Sequence, residues 1–186
     1  MPRESQQAKR ARTERVIDEL RRAFPDAKCS LEYETPLELL LATILSAQCT
    51  DERVNAVTRE LFRVYRSAED FADADQADLE EAVRPTGFFR NKAKSIKNCC
   101  RALVEEHGGH VPNSMEALTA LAGVGRKTAN VVLNIAFGVP TIAVDTHIFR
   151  VSNRTGLAPG KDVVEVEKML EKRTPDHFKQ HAHHWL

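Results

Sequence analysis

The chain lacks an apolar run long enough to cross a bilayer, and its first residues hold no apolar signal core. These absences argue against a helical membrane protein and point to a cytoplasmic protein of bacterial type. No charge excess is present either: 27 lysines and arginines face 27 aspartates and glutamates. A protein that holds nucleic acid by bulk electrostatics alone is therefore excluded. One that uses local N–H groups and a basic patch is not. No C-x-x-C spacing occurs among Cys29, Cys49, Cys99 and Cys100, so these read as small buried hydrophobes and not as metal ligands. Low-complexity tracts are missing, and so is any segment that alternates like a strand. What remains, 186 residues that are 42% hydrophobic and 29% charged, fits one or two compact domains of all-α class.

Helical periodicity runs through most of the chain. After a polar start, PRESQQAKRARTER, expected to fray, Val16, Ile17, Leu20, Ala23 and Phe24 mark a helix that Pro25 ends. Leu37, Leu40, Leu41, Ile44 and Leu45 follow helical spacing, and Leu39 adds a second apolar side, which predicts a central helix. Val54, Val57, Leu61 and Val64 continue after the polar break from Gln48 to Asp51. Leu79 and Val83 lead to Pro85 and Gly87. Ala93, Ile96, Cys100 and Leu103 form a face closed by Gly108 and Gly109. Ala129 to Phe137 is apolar on more than one side. Val144, Ile148 and Val151 predict a further helix, and Val163, Val166 and Leu170 the next. A last helix starting near Phe178 would be cut in mid-course, so the native protein is expected to be longer.

Leu118 to Ala129, LTALAGVGRKTA, carries the most chemistry. It reads as helix, four-residue hairpin, helix. Gly123 and Gly125 permit positive φ and leave no Cβ between the backbone and an approaching phosphate. Val124 can tuck into the core and hold the turn. The N–H groups that open the next helix have no intrahelical partner and favour an anion. Such a site grips a DNA backbone without reading sequence. A plain tight connection between helices is the bland alternative. TGFFRNKA, Thr86 to Ala93, echoes AGVGRKTA, Ala122 to Ala129: both predict a turn followed by a basic helix.

These residues resemble the helix–hairpin–helix superfamily of DNA glycosylases. VDTHIFRVSNR (Val144 to Arg154), LSAQCTDERVN (Leu45 to Asn55) and TGFFRNKA extend the match toward its endonuclease III branch, bifunctional glycosylases with AP lyase activity. The resemblance runs from about Ala11 to Leu186. It implies a two-domain fold: residues 29–139 as a six-helix domain with the hairpin, and 1–28 with 140–186 as a second helical domain. Damaged double-stranded DNA would lie in the cleft between them, and the protein would act as a monomer at the nucleoid. Ala122 departs from the family, which usually has proline there; its loss would loosen the turn through unfolded-state entropy. A second departure lies at the end. The family carries four cysteines for a [4Fe–4S] cluster beyond the point where this chain stops, so those ligands are absent and this chain alone is expected not to hold one. His177, His181, His183 and His184 suggest zinc by number, but HHWL matches the family's helix leading toward the cluster.

The resemblance assigns Lys127 as the nucleophile that attacks the sugar of a damaged nucleotide and forms a Schiff base. The positive helix end and partial burial are both expected to disfavour charge on its amine. Asp145, 18 residues on, is assigned to proton transfer or to stabilising the cationic sugar; alone it also reads as a helix N-cap. Gly123, Val124, Gly125, Arg126 and Thr128 would contact DNA through the hairpin. Gln48 would fill the gap left by the extruded nucleotide, with Phe88 as the second wedge. His147 is a candidate contact, or an ordinary helical histidine. The expected activity is removal of oxidised pyrimidines followed by β-elimination. Two rivals remain: a non-catalytic DNA-binding module, which needs neither Lys127 nor Asp145, and a monofunctional or mismatch-specific glycosylase, which needs no amine at 127.

Overall fold

A computed structural model describes residues 4–186; Met1, Pro2 and Arg3, the first part of the polar start, lie outside the described residues. Eleven α-helices and no strand occur among the described residues. They are α1 (Gln6–Ala23), α2 (Pro36–Leu45), α3 (Asp51–Val64), α4 (Ala68–Asp73), α5 (Gln76–Val83), α6 (Phe89–His107), α7 (Met115–Ala120), α8 (Arg126–Phe137), α9 (Thr146–Thr155), α10 (Val163–Arg173) and α11 (Asp176–Trp185), with a 3-10 turn at Arg84–Thr86. Contacts divide the chain into two compact units, Ser30–Phe137 and the segment up to Cys29 with Gly138–Leu186.

In the Ser30–Phe137 unit, α2 is the central rod. Thr35 caps it by accepting from the Glu38 N–H at 3.2 Å, and Pro36 takes the first helical position, where no N–H is needed. All seven residues from Leu39 to Leu45 are buried, as the two-sided apolar pattern requires. This helix packs on α3, α6 and α8. The long helix α6 is the second support. Ala93, Ile96, Cys100 and Leu103 bury one stripe, and α4 and α5 lie against it.

The unit has seven helices among the described residues rather than six, because α4 is present. With six residues it is too short to show a period. Its signal is local: a capping box in which the Asp70 N–H donates to Ser67 Oγ at 3.2 Å and the Ser67 N–H to Asp70 Oδ2 at 3.0 Å. Phe71 anchors it against Tyr65, ring centroids 5.1 Å apart.

In the other unit, α1 packs on α10 and α11. Ile142, Val144, Ile148, Ala158, Val166, Leu170 and Ala182 form its core. The start of α1 is ordered helix from Gln6, against the expected fraying: Ser5 Oγ accepts from the Ala8 N–H at 3.1 Å. Arg12 then reaches the Thr155 and Gly156 carbonyls at 3.3 and 3.0 Å. A guanidinium there satisfies carbonyls that the end of α9 leaves open. Val144 is buried, but in the irregular segment before α9 and not within a helix. Asp145 takes the cap position, so the helix cannot begin earlier.

His184 on α11 is half-buried. Desolvation first, then the neighbouring His183 and His181, hold its pKa down from 6.5 to about 4. The unfolded chain therefore binds a proton that the fold refuses between these values, and stability falls as pH drops through this window. The urea midpoint should fall more steeply from pH 6.5 to pH 4 in the parent than in His184→Leu. Parallel curves for the two proteins would contradict this account.

Candidate active site

The hairpin connects α7 and α8 through Leu121–Gly125, five residues rather than four. The Leu121 N–H donates to the Leu118 carbonyl at 3.1 Å and the Val124 N–H to the Leu121 carbonyl at 3.2 Å, closing two successive turns. Val124 is buried and pins the loop, as its apolar side chain predicts. Only one of the two glycines has positive φ: Gly123, at 77°. A Cβ there would also lie 2.8 Å from Ser95 Cβ on α6 and 3.5 Å from Ile44 Cγ2 on α2. Glycine is thus demanded twice at this position, by conformation and by space. Gly125 has ordinary φ, and a Cβ on it would meet nothing within 4 Å. Its small size leaves the approach to the α8 N-terminus open.

The first turn of α8 holds no acidic residue, a feature it shares with α1, α6 and α9. Helices α2, α3, α4, α5, α7, α10 and α11 carry acidic residues in their first turns, which complements the helix dipole. The first turn of α8 has none and begins Arg126-Lys127-Thr128. Two cations at the positive end of a dipole oppose helix stability. The arrangement is favourable once an anion approaches. Thr128 is half-buried, while Arg126 and Lys127 are exposed. Exposure corrects the expected partial burial of Lys127. Lys127 shares its side of the helix with the buried Asn130 and Val131, so its exposure comes from its place in the first turn, before burial begins at Ala129.

Gln48 and Phe88 share one property. They are the two non-glycine residues with positive φ among the described residues, 53° and 48°. Left-handed backbone costs a side-chain-bearing residue about 1–3 kcal/mol and tends to persist at functional sites. Both residues are exposed, Phe88 to 65%. Phe88 is therefore a surface residue and no part of the core. Gln48 follows the end of α2. Phe88 follows Gly87, at φ 72°, and opens α6 with no side-chain cap. The Phe89 ring beside it lies under the Arg84 and Arg90 guanidinium groups, at 5.3 and 5.6 Å.

Asp145, in the other unit, is half-buried and caps α9: its Oδ1 accepts from the Ile148 N–H at 2.9 Å. His147 is exposed on the first turn of α9. His183 Nδ1 lies 2.7 Å from the Ala143 carbonyl, two residues before Asp145. No group of three or more His, Cys, Asp or Glu side chains that could hold a metal occurs among the described residues. The cysteines present do not fit a four-thiolate cluster. Cys99 and Cys100 are buried side by side on α6, and burial pushes both thiols up, Cys99 to about 12, where a cluster needs thiolates. None of the described helices is long and apolar enough to cross a membrane.

Sequence reasoning missed Lys92. It is buried, and its ammonium donates to the Leu45 carbonyl at 2.8 Å and the Thr86 carbonyl at 2.7 Å. The available signal was its register: Lys92, Ile96, Cys99 and Leu103 fall on one buried stripe of α6.

A hairpin with an open helix N-terminus and an adjacent amine defines a DNA-backbone binder of the helix–hairpin–helix type. Residues 41–176 match the HhH-GPD superfamily of base excision DNA repair proteins. The chain is 53% identical to endonuclease III of Haemophilus influenzae over 171 residues, 92% of this chain and 81% of that protein. It is 48% identical to endonuclease III of Escherichia coli K12 over 171 residues, with the same coverage, 92% and 81%. A solved structure of a trapped endonuclease III–DNA covalent intermediate, an estranged-adenine complex, superposes with a TM-score of 0.90 at 46% identity, covering 95% of this chain and 83% of that one. The chain belongs to the HhH-GPD superfamily of base excision DNA repair proteins. Within it, the likeness to the endonuclease III enzymes makes this a DNA glycosylase with AP lyase activity.

The two hairpin glycines should respond differently to alanine. Gly123→Ala should lower stability by about 1–3 kcal/mol, from strained φ and the clash with Ser95. Gly125→Ala should change stability by no more than about 0.5 kcal/mol and weaken DNA binding instead. Urea denaturation and fluorescence anisotropy with a duplex check the pair; equal stability losses would sink the distinction.

Proposed function

We propose that the enzyme removes oxidised pyrimidines from double-stranded DNA and cleaves the resulting site, acting as a monomer on nucleoid DNA in a bacterial cytoplasm. The single observation that carries the proposal is the first turn of α8, where Arg126 and Lys127 follow the Gly123–Gly125 turn directly and no residue of that first turn is acidic. A phosphate on the N–H groups after Gly125 compensates the dipole and places a neighbouring deoxyribose beside an exposed amine. Gly123, Val124 and Gly125 shape that grip, and Arg126 and Thr128 extend it.

The Lys127 Nζ lone pair attacks C1′ of the extruded nucleotide. The glycosidic C–N bond breaks, and its electrons leave with the base, which takes up a proton. After the amine has lost one proton, the nitrogen lone pair breaks the C1′–O4′ bond, O4′ takes up a proton from solvent, and a protonated iminium joins Lys127 to C1′. Loss of a C2′ proton then expels the 3′ phosphate, which is β-elimination. Asp145 stabilises positive charge on the sugar or carries the proton that leaves the amine. Its cap bond to Ile148 fixes the carboxylate for this work. Gln48 and Phe88 fill the space the extruded nucleotide leaves. Their left-handed backbone and exposure support this role. His147, exposed on the first turn of α9, is assigned to a phosphate contact. The trapped covalent complex of the endonuclease III relative with DNA supports a covalent intermediate here by similarity.

Borohydride reduction on duplex DNA holding an oxidised pyrimidine should yield a covalent adduct that Lys127→Ala abolishes. Asp145→Asn separates catalysis from capping, because asparagine caps as well as aspartate. Stability should hold within about 0.5 kcal/mol while base release slows by about 100-fold. Base release without any adduct would favour a monofunctional glycosylase, and no release would favour a binding module. Unchanged turnover in Asp145→Asn would leave Asp145 as a cap only.

A further inference from the structure

Lys92 is 6% exposed, a rare state for lysine. Burial pushes its pKa below the ordinary lysine value, with Cys49 pulling the other way. The two carbonyls that receive its N–H groups come from different parts of the fold. Leu45 is the last residue of α2, three positions before Gln48. Its carbonyl is one of those that a helix end leaves without an intrahelical partner. Thr86 ends the 3-10 turn, two positions before Phe88. Thr86 is itself buried, and its hydroxyl donates to the Val83 carbonyl at 2.8 Å. One ammonium thus joins the backbone leading into both non-glycine residues of positive φ.

Two strained residues on separate loops would each have to be ordered on entering a duplex, and that ordering costs binding free energy. Strain of this kind persists only where the surroundings over-determine it. A short bond to each loop from one buried atom supplies such a constraint. We infer that Lys92 is a positioning residue that couples the Gln48 loop to the Phe88 turn, so that the two side chains enter the DNA stack as one preformed wedge. This rests on the proposed gap-filling role of Gln48 and Phe88. Lys92 touches neither sugar nor base. It acts through the two loops.

A merely structural lysine would affect all substrates alike, whereas a wedge matters only where a stack must be opened. The test compares an abasic site in duplex DNA with the same abasic strand alone, using borohydride-trapped adduct as the readout. In Lys92→Met, the ratio of duplex to single-strand rate should fall by about ten-fold or more. Lys92→Gln, which keeps N–H donors on a shorter arm, should fall between Lys92→Met and the parent. A ratio within about two-fold of the parent in Lys92→Met overturns the inference. Should these variants not fold, exposed positions carry the second measurement: Gln48→Ala, Phe88→Ala and the double variant, all with Lys92 intact. A coupled wedge predicts that the double variant loses about five-fold less duplex activity than the product of the single losses. Losses that multiply within about two-fold overturn the coupling while leaving gap-filling intact. Single variants that retain full duplex activity overturn the gap-filling reading, and the inference falls with it.

Discussion

The structure depends on how the first turn of α8 is held. Seven helices in this chain place acidic side chains at their positive ends, the ordinary way to relieve a dipole. The first turn of α8, like those of α1, α6 and α9, has no acidic residue, and it opens with Arg126 and Lys127. Such an end survives because the rest of the helix is anchored: Ala129, Val132 and Leu133 are buried, and α2 and α7 pack against it. Core packing of α8 therefore supports a first turn that is poor by local rules and suited to a phosphate. The same logic explains Gly123. Its fit against Ser95 and Ile44 brings the hairpin onto α6 and α2, the two helices that also launch the Phe88 turn and the Gln48 loop.

Much of this was legible in the sequence. The all-α class followed from periodicity, and α2 announced its burial through Leu39, an apolar residue off the main stripe. The hairpin was readable because its glycines, leucines and basic residues each answer a separate physical need. What escaped did so for identifiable reasons. Helix α4 is shorter than two turns, so only its capping box could show it. Val144 has helical spacing to Ile148 and Val151, but Asp145 between them claims the cap, and a cap ends the periodic argument. Lys127 was expected to be partly buried, yet it stands in the first turn of α8, two residues before burial begins at Ala129. The polar start was read as frayed because it lacks apolar residues. Its order comes instead from a serine cap and from Arg12 on the carbonyls at the end of α9, a tertiary contact that no local pattern announces.

The echo between TGFFRNKA and AGVGRKTA shows how one backbone device can serve two purposes. In both, a glycine at positive φ turns the chain into a helix with basic residues near its start: Gly87 at 72° before α6 and Gly123 at 77° before α8. The residue after the glycine decides the outcome. Val124 is β-branched, does not take left-handed backbone and falls inward, where it is buried. Phe88 continues at positive φ, and its ring is carried outward to 65% exposure. The basic residues diverge in the same way. Counting from each glycine, Lys127 occupies the fourth place and is exposed, whereas Lys92 occupies the fifth and is buried. One step along a helix turns a side chain by about 100°. That rotation separates an amine that can reach a sugar from an ammonium that can only brace the loops around it.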